Sequence, residues 1–458
     1  MNNRRRNFLA SIGAVLLSFF LLAATADFVQ AQKRTGKNRK NEIITKKIGA
    51  PVYKLTREDQ IFLEDLEKRA FRFFWEQSNS ETGLTADRAR ADGSPYQRTE
   101  AHYNVASIAA TGFALTSYCI AAERNWTPRR EVKDRARITL AFFADRAFHK
   151  NGWFYHWMDA ETGERRWNSE VSSIDTALLL GGVLTVRQCF AEDKEIVRLA
   201  TRIYERVDFG WMLNGDPYLL SHGWKPETGF LPYRWDTSSE HLILYLLGIG
   251  SPTHPLSWRS WYAWRRDFIS YGKYRFQASL PPLFIHQYSH AWVDFRRRRE
   301  RFRRFKIDYF ENSVTATAAQ RQFFINLANE FPIYAENVWG LTASDSREGY
   351  KAWGAPPRPP DWDGTVVPCA AAGSLMFAPE ITLPALKTLR AKFGDEIYGR
   401  YGFTDAFNPQ TNWINRDVIG IDVGITLLSA ENLRTGNVWR WFMLNSEPVT
   451  ALSKAKLQ

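Results

Sequence analysis

Apolar residues recur at helical spacing along most of the chain. In residues 60–77, Phe62, Leu66, Ala70 and Phe73 follow one another at intervals of three or four, which places them on one face of a helix. A chain dominated by such segments is typical of an all-α protein. The same period predicts further helices over residues 104–124, 132–149, 171–190, 194–212, 239–247, 314–331, 383–393 and 418–434.

The predicted helices are separated by loops rich in Gly, Pro, Trp and Asp, for example over residues 151–168, 213–236 and 351–368. Regular strands are scarce, although short strand pairs are predicted around residues 153–157 and 229–233. A single large all-α domain accounts for this pattern. One architecture that satisfies it is a closed ring of helical hairpins, an (α/α)6 toroid, because such a ring gathers long loops at one end.

The N-terminal segment has the composition of an export signal. Arg4, Arg5 and Arg6 precede an apolar run, and Val29-Gln-Ala31 fits a cleavage site, so residues 1–31 are predicted to be a signal peptide. The run is too short and interrupted for a membrane anchor. The arginines fit either a twin-arginine or an ordinary secretory signal. We therefore expect a periplasmic or secreted protein, with a flexible basic tail over residues 32–56 and the folded domain over residues 57–450.

The net charge of +12 arises largely from that tail and from an arginine-rich segment at residues 296–306. No nucleic-acid-binding module accompanies these charges, so nucleic acid is not an expected partner. We interpret the segment as a solvated surface loop, with binding to an anionic envelope surface as the alternative. Cys119, Cys189 and Cys369 form neither a zinc pattern nor a disulfide framework, and we expect packing roles for them.

Carboxylates stand beside aromatic or small residues at several junctions between helices and loops. Carbohydrate chemistry uses this mixture, because aromatic faces stack on sugar rings while paired carboxylates protonate the leaving oxygen and activate water. The segments are Glu170-Val-Ser-Ser-Ile-Asp175, Tyr233-Arg-Trp-Asp-Thr-Ser-Ser-Glu240, Asp308-Tyr-Phe-Glu-Asn312, Trp339-Gly-Leu-Thr-Ala-Ser-Asp345 and Ile421-Asp-Val-Gly424.

Taken in order, these and other segments resemble the bacterial glucoamylase-like family, and within it the endo-β-1,2-glucanases of glycoside hydrolase family 144. The resemblance extends over nearly the whole chain after the tail. Its further motifs are Gly83-Leu-Thr-Ala-Asp-Arg88 and residues 107–115, 170–178, 239–241, 250–255, 283–290, 308–313, 373–374, 422–424 and 431–432.

The resemblance implies an (α/α)6 barrel and a hydrolase that inverts the anomeric centre of a β-glucan, with a β-1,2 linkage expected. Glu240 matches the general acid, and Asp422 and Glu170 are the candidates for its catalytic partner. A transglycosylase on the same scaffold and a non-catalytic glycan-binding envelope protein are the alternatives. We expect no cofactor and no metal, and we expect the protein to be a monomer. The candidate substrate-binding residues are Asp87, Arg88, Asp175, Trp235, Asp308, Tyr309, Trp339 and Tyr350.

Several of these residues also have structural interpretations. Thr237-Ser-Ser-Glu240 fits a helix capping box, in which Glu240 would close back on the helix start. Asp87 and Arg88 fit a structural ion pair as well as a clamp on sugar hydroxyls. His286 and His290 share a helical spacing of four, but no third ligand accompanies them, so we expect them to form hydrogen bonds.

Overall fold

The structure, a computed structural model, describes residues 53–302 and 305–458. The predicted signal peptide and most of the predicted tail therefore lie outside the described residues. At the start of the described part, Tyr53 and Leu55 pack against the hydrophobic core. The first helix begins immediately afterwards, because Thr56 and Asp59 form a reciprocal capping box.

Helices are the main secondary structure of the described residues. They are α1 (Arg57–Glu76), α2 (Ile108–Arg124), α3 (Arg129–Ala141, continued by a π-helical turn Phe142–Arg146), α4 (Ser173–Cys189), α5 (Lys194–Glu205), α6 (Phe209–Met212), α7 (Leu242–Gly250), α8 (Tyr288–Trp292), α9 (Tyr309–Leu327), α10 (Pro368–Ala372), α11 (Pro379–Phe393), α12 (Gly420–Arg434), α13 (Asn437–Met443) and α14 (Ser446–Lys454), with short 3-10 turns at Trp258–Tyr262, Leu283–His286 and Gly394–Glu396.

Helices α2, α4, α7, α8, α10 and α12 are buried along most or all of their length and form the inner ring. Helices α1, α3, α5 and α11 keep an exposed face and pack outside them. Helix α12 packs against α2, which closes the ring between the two ends of the chain. The expected α/α toroid is therefore confirmed. The backbones of α2 and α4 are in contact, because Gly112 and Gly182 lie directly against each other.

Short antiparallel strand pairs connect the starts of the inner helices. Strands β2, β6 and β17 lead directly into α2, α4 and α12, so these three helices begin at the same end of the ring. The pairs are β1 (Arg88–Arg90) with β17 (Asp417–Ile419), β2 (Val105–Ser107) with β5 (Trp157–Asp159), β3 (His149–Lys150) with β4 (Trp153–Phe154), β6 (Val171–Ser172) with β7 (Gly223–Lys225) and β8 (Gly229–Phe230), β9 (Phe268–Tyr271) with β10 (Tyr274–Gln277), β11 (Ser344–Ser346) with β12 (Gly349–Lys351), β13 (Tyr398–Gly399) with β14 (Gly402–Phe403), and β15 (Phe407–Asn408) with β16 (Trp413–Ile414).

The sequence pattern located most helices but not all their boundaries. The helix predicted over residues 104–124 begins only at Ile108, because residues 105–107 form β2. The helix predicted over residues 194–212 is two helices, since Asp208 caps a new start by accepting a bond from the Trp211 amide at 2.8 Å. The prediction also missed α8, α10, α13 and α14. Helices α8 and α10 are fully buried segments of five residues, which are too short to show a period.

The arginine-rich segment is a surface loop with one buried anchor. Its described arginines are exposed or half-buried, but Glu300 is fully buried. The Glu300 carboxylate accepts hydrogen bonds from Arg266 at 2.7 Å and from the Tyr309 hydroxyl at 2.7 Å. The backbone of Glu300 also forms a bridge with Leu457 near the C-terminus.

None of the described helices is long and apolar enough to span a bilayer.

Candidate active site

Carboxylates from different helical hairpins collect where the inner helices begin. Asp175 and Asp422 lie in the first turns of α4 and α12, and Glu240 directly precedes the start of α7. The N-terminal end of a helix carries partial positive charge, which stabilises anions. Asp175 also has a local reason to be there, because its backbone amide donates to the N-cap hydroxyl of Ser172 at 3.2 Å.

Glu240 does not close a capping box. His241 is the N-cap of α7 and makes no side-chain capping bond, so the structural alternative for Glu240 was wrong. The carboxyl instead accepts a short hydrogen bond from the Ser239 hydroxyl. Burial, with a smaller contribution from the charge of Asp175, raises the pKa of Glu240, and the Ser239 hydrogen bond only partly opposes this. A carboxyl that holds its proton at higher pH is suited to act as an acid.

Trp235 forms the support of this region rather than an open platform. The side chain is only 7% exposed, and its ring stacks on His222 with centroids 3.9 Å apart. The indole N–H donates to the Ser173 hydroxyl at 2.9 Å. The expectation that Trp235 offers its face to a sugar therefore needs correcting, because that face is already covered.

His156 connects Glu170 and Asp175. Its Nδ1 lies 3.1 Å from Glu170 Oε1 and its Nε2 lies 3.4 Å from Asp175 Oδ1, while its ring stacks on Trp157. Burial alone would lower the pKa of His156, but Asp175 and Glu170 outweigh it and raise the pKa to about 9. Burial would likewise raise the pKa of Glu170, but the hydrogen bond and charge of His156 lower it to about 2.

The ligand-type atoms of these three side chains lie within 4.8 Å of one another, as a metal site would require. However, each ring nitrogen of His156 faces a different carboxylate, so the imidazole ring itself stands between them. One metal ion can use only one of those nitrogens. The arrangement fits a protonated imidazole bridging two carboxylates. Burial raises the pKa of Asp175, and the positive charge of His156 opposes that increase.

Arg88 is held between two carboxylates. Its Nη1 donates to Asp345 Oδ2 at 2.8 Å, and its Nε donates to Asp87 Oδ2 at 3.3 Å. The other oxygen of Asp87 accepts from the Trp157 indole at 3.0 Å. Asp87 and Arg88 thus form an ion pair, as one of the two interpretations predicted. Asp87 also connects the Arg88 side of the site to the His156 side.

Asp422 lies at the centre of a second group of polar side chains. It is 6% exposed, and burial raises its pKa to about 6, although hydrogen bonds from the side chains of Asp405 and Cys369 act against this increase. The hydroxyl of Tyr288 donates to Asp422 Oδ1 at 3.5 Å. Cys369 lines the same small cavity as Asp422, so the expectation that it serves packing alone is incomplete.

Tyr288 lies between the two halves of the site. Burial raises its pKa, and the charges of Asp422 and Glu240 both contribute to the increase. The charge of Asp175, which belongs to the His156 group, in turn contributes to the raised pKa of Glu240. The candidate catalytic residues thus surround one region at the start of the inner helices.

Three of the expected sugar contacts lie elsewhere. Trp339 is fully buried in a second core cluster, so it cannot stack on a sugar. Asp308 is the N-cap of α9 and accepts from the Glu311 amide at 3.1 Å. Tyr309 is 3% exposed, and its hydroxyl is bound to Glu300. These residues stabilise the fold. Local sequence could not distinguish them from site residues, since buried and site-lining aromatics share the same neighbours.

Tyr350 keeps the exposure that a sugar contact needs. It is 38% exposed in β12, where it pairs with Asp345 of β11. Burial of its hydroxyl, together with the carboxylates of Asp422, Asp405 and Asp345, raises the pKa of Tyr350. Its ring therefore stands open beside the carboxylate group.

Sequence reasoning missed His156, Tyr288 and Asp405. His156 and Tyr288 lie in predicted or resembling segments and carried a weak signal, the first at a strand end and the second in residues 283–290. Asp405 had none, because it lies on a loop between β14 and β15 with no distinctive neighbours.

Comparison with known proteins finds a family model that matches part of this chain. Residues 232–446 match the family model described as "Putative glucoamylase". An exo β-1,2-glucooligosaccharide sophorohydrolase of Parabacteroides distasonis is 24% identical over 445 residues, covering 89% of this chain and 59% of that protein. The chain thus spans less than two thirds of the length of this curated relative.

Solved structures share the fold of this chain. An endo-β-1,2-glucanase from Chitinophaga pinensis, in complex with sophorotriose and glucose, superposes with a TM-score of 0.80 at 27% identity, covering 87% of this chain and 98% of that chain. An endo-β-1,2-glucanase from Talaromyces funiculosus with sophorose shares the fold alone, with a TM-score of 0.61 at 13% identity, covering 88% of this chain and 90% of that one. The chain is thus similar to the glucoamylase-like family over residues 232–446, and to endo-β-1,2-glucanases over most of its fold.

Proposed function

We propose that this chain is an exported glycoside hydrolase that cleaves a β-1,2-linked glucan with inversion of the anomeric centre. The observation that carries the proposal is that Tyr288, whose hydroxyl donates to Asp422, has its pKa raised by the charges of both Asp422 and Glu240, while burial raises the pKa of Glu240. Export rests on the predicted signal peptide. The β-1,2 linkage rests on the relatives, whose names specify β-1,2-glucan or its oligosaccharides.

Glu240 acts as the proton donor in this proposal. It gives its proton to the glycosidic oxygen as the bond from that oxygen to the anomeric carbon breaks. Asp422 takes a proton from the water that adds to the anomeric carbon from the opposite face, which inverts its configuration. After the reaction Glu240 is ionised and Asp422 is protonated, so one proton must return between them before the next cycle.

Asp422 is a better candidate for the base than Glu170. A general base works best with a pKa near the working pH, and the pKa of Asp422 is raised to about 6. The pKa of Glu170 is lowered to about 2 by His156, which makes its carboxylate a poor proton acceptor. Glu170, Asp175 and Arg88 instead supply fixed charges that bind sugar hydroxyls. Tyr350 provides an exposed ring for stacking.

The test is release of reducing sugar from β-1,2-, β-1,3-, β-1,4- and α-glucans by the purified protein. We expect activity on the β-1,2-glucan, and NMR of the first products should show the α-anomer. The Glu240→Gln variant should lose about 10²–10⁴-fold in kcat. A matched control is Glu311→Gln, since burial also raises the pKa of Glu311 but that residue lies in the first turn of α9.

Activity on no β-glucan would refute the proposal. Near-normal turnover by a folded Glu240→Gln variant would refute the assignment of the acid, and a β-anomer as first product would refute inversion.

A further inference from the structure

Trp167 has a backbone conformation that bulky residues rarely adopt. Its φ is +54°, and that of the following Asn168 is +51°. A left-handed backbone at a tryptophan is unfavourable, and such positions persist only where the surrounding structure enforces them, commonly at ligand-binding sites. The segment at residues 165–169, which we call the Trp167 loop, is therefore a candidate for a role beyond packing.

Two arginines fix the Trp167 loop. The guanidinium of Arg165 donates to the backbone carbonyl of Asn168 at 2.8 Å and to that of Ser169 at 2.5 Å. The guanidinium of Arg166 donates to the Asp159 carboxylate at 3.0 Å. These bonds hold the backbone directly before and directly after the tryptophan, so they set the direction of its side chain.

The contacts of the Trp167 ring place it at the edge of the candidate active site. The ring lies against Trp157 and against His102, with centroids 5.3 Å apart in both pairs. Trp157 belongs to the site, because its indole N–H donates to Asp87 at 3.0 Å and its ring stacks on His156. Trp167 is thus separated from these two polar residues by a single aromatic ring.

Trp167 differs from the other tryptophans of the site in what it leaves open. The rings of Trp157 and Trp235 are each covered by a nearly parallel histidine, at interplanar angles of 12° and 21°. Both ring contacts of Trp167 are steep instead, at 64° and 90°, and its side chain is only half-buried. Its indole N–H makes no hydrogen bond to any residue that the structure describes.

A partly open ring with an unused donor matches the chemistry of a pyranose. Such a sugar has C–H groups on its faces, which pack on an aromatic ring, and hydroxyls around its rim, which accept from an indole N–H. Tyr350 is the other open ring of the site, and Arg88 with its two carboxylates lies between Tyr350 and Trp157, which Trp167 contacts. The two open rings therefore suit different sugar units of one chain.

We propose that Trp167 is a stacking platform for one glucosyl unit of an oligo- or polysaccharide substrate. Trp167 is then a substrate-binding residue and takes no part in proton transfer. That the sugar is a glucosyl unit of a β-glucan rests on the proposed function, whereas the presence of a sugar platform rests on the conformation and contacts of Trp167.

The test compares KM and kcat of the wild type, Trp167→Leu and Trp167→Phe on β-1,2-glucan. Leucine keeps apolar volume against Trp157 and His102 but has no ring, whereas phenylalanine keeps a ring. A platform holds the sugar equally in the ground state and the transition state. Trp167→Leu should therefore raise KM about 5- to 10-fold and leave kcat within about twofold, and Trp167→Phe should stay within about threefold in KM.

Trp258→Leu is the matched control. Trp258 is also a half-buried tryptophan, but it packs on Phe302 of the arginine-rich segment, with centroids 4.9 Å apart. Its KM should equal that of the wild type. Thermal unfolding of each variant shows that it is folded at the assay temperature.

Direct binding separates this proposal from the proposed function. If the wild type cleaves none of the β-1,2-, β-1,3-, β-1,4- and α-glucans, calorimetry with the wild type and Trp167→Leu measures whether they bind. A glucan that binds without cleavage, about 5- to 10-fold more weakly to Trp167→Leu, would support the platform although the hydrolase proposal had failed.

Three outcomes would overturn the platform. The first is cleavage of a glucan with an unchanged KM in Trp167→Leu, which leaves the hydrolase proposal intact. The second is an equal rise of KM in Trp167→Leu and Trp167→Phe, because a structural role does not depend on the ring. The third is a wild type that binds none of the glucans.

Discussion

Replacement of His156 by glutamine should remove a pH-dependent part of the stability of this protein. The pKa of His156 is raised to about 9 in the fold, against a value near 6.5 in the unfolded chain. A raised pKa stabilises the fold fully below pH 6.5, and this stabilisation is lost as the pH rises through 9. At about 1.4 kcal/mol per pH unit, the interaction with Asp175 and Glu170 is worth about 3 kcal/mol.

Denaturant unfolding of wild type and His156→Gln at pH 6 and pH 9.5 measures this contribution. The wild type should be more stable than the variant at pH 6, and the gap in the free energy of unfolding should shrink by about 3 kcal/mol at pH 9.5. Both measurements are independent of any substrate.

His222→Gln is the matched control. His222 is also enclosed in the site, but burial lowers its pKa to about 4, so it is neutral at both pH values. Its gap from wild type should change by only about 0.8 kcal/mol between pH 6 and pH 9.5, and in favour of the wild type, because the imidazole is partly protonated at pH 6 in the unfolded chain alone. If the wild type did not lose its advantage over His156→Gln on going to pH 9.5, the view that His156 is a protonated bridge between two carboxylates would be refuted.

Two further predictions concern the fold. Gly182→Ala should lower the free energy of unfolding by about 1–3 kcal/mol, because the added methyl group would collide with the backbone of Gly112, and thermal unfolding would show whether α2 and α4 are as close as described. Glu300→Gln should lower the free energy of unfolding by about 3 kcal/mol in the same assay, because it leaves the buried guanidinium of Arg266 without its countercharge. The control variants Arg297→Gln and Arg299→Gln should stay within about 0.5 kcal/mol of wild type. Equal effects of all three substitutions would contradict the single buried anchor.

The sequence predicted the features that depend only on neighbouring residues, above all the positions of the long helices. The helical period of Phe62, Leu66 and Ala70 is set by which face a helix must bury, and that requirement can be read without knowing what covers it. Glu240 became a candidate acid through the resemblance of its segment to the glucoamylase-like family, because its local spacing fitted a helix capping box as well. Trp339 shows the limit of such reasoning, because a core aromatic and a sugar-binding aromatic have the same local pattern.

Only the tertiary structure decided which carboxylates meet and how each one titrates. Arg88 contacts Asp345, which lies 257 positions along the chain, and Asp405 lines the same small cavity as Asp422 from a separate loop. No spacing in the sequence reports such pairs, because they form only when the last inner helix packs against the first and closes the ring. The proton affinity of a buried carboxyl depends on the donors and charges that the fold places around it. The sequence alone therefore determined most helices and indicated Glu240 as the candidate acid. Closure of the ring decided the environment of Asp422, the candidate base.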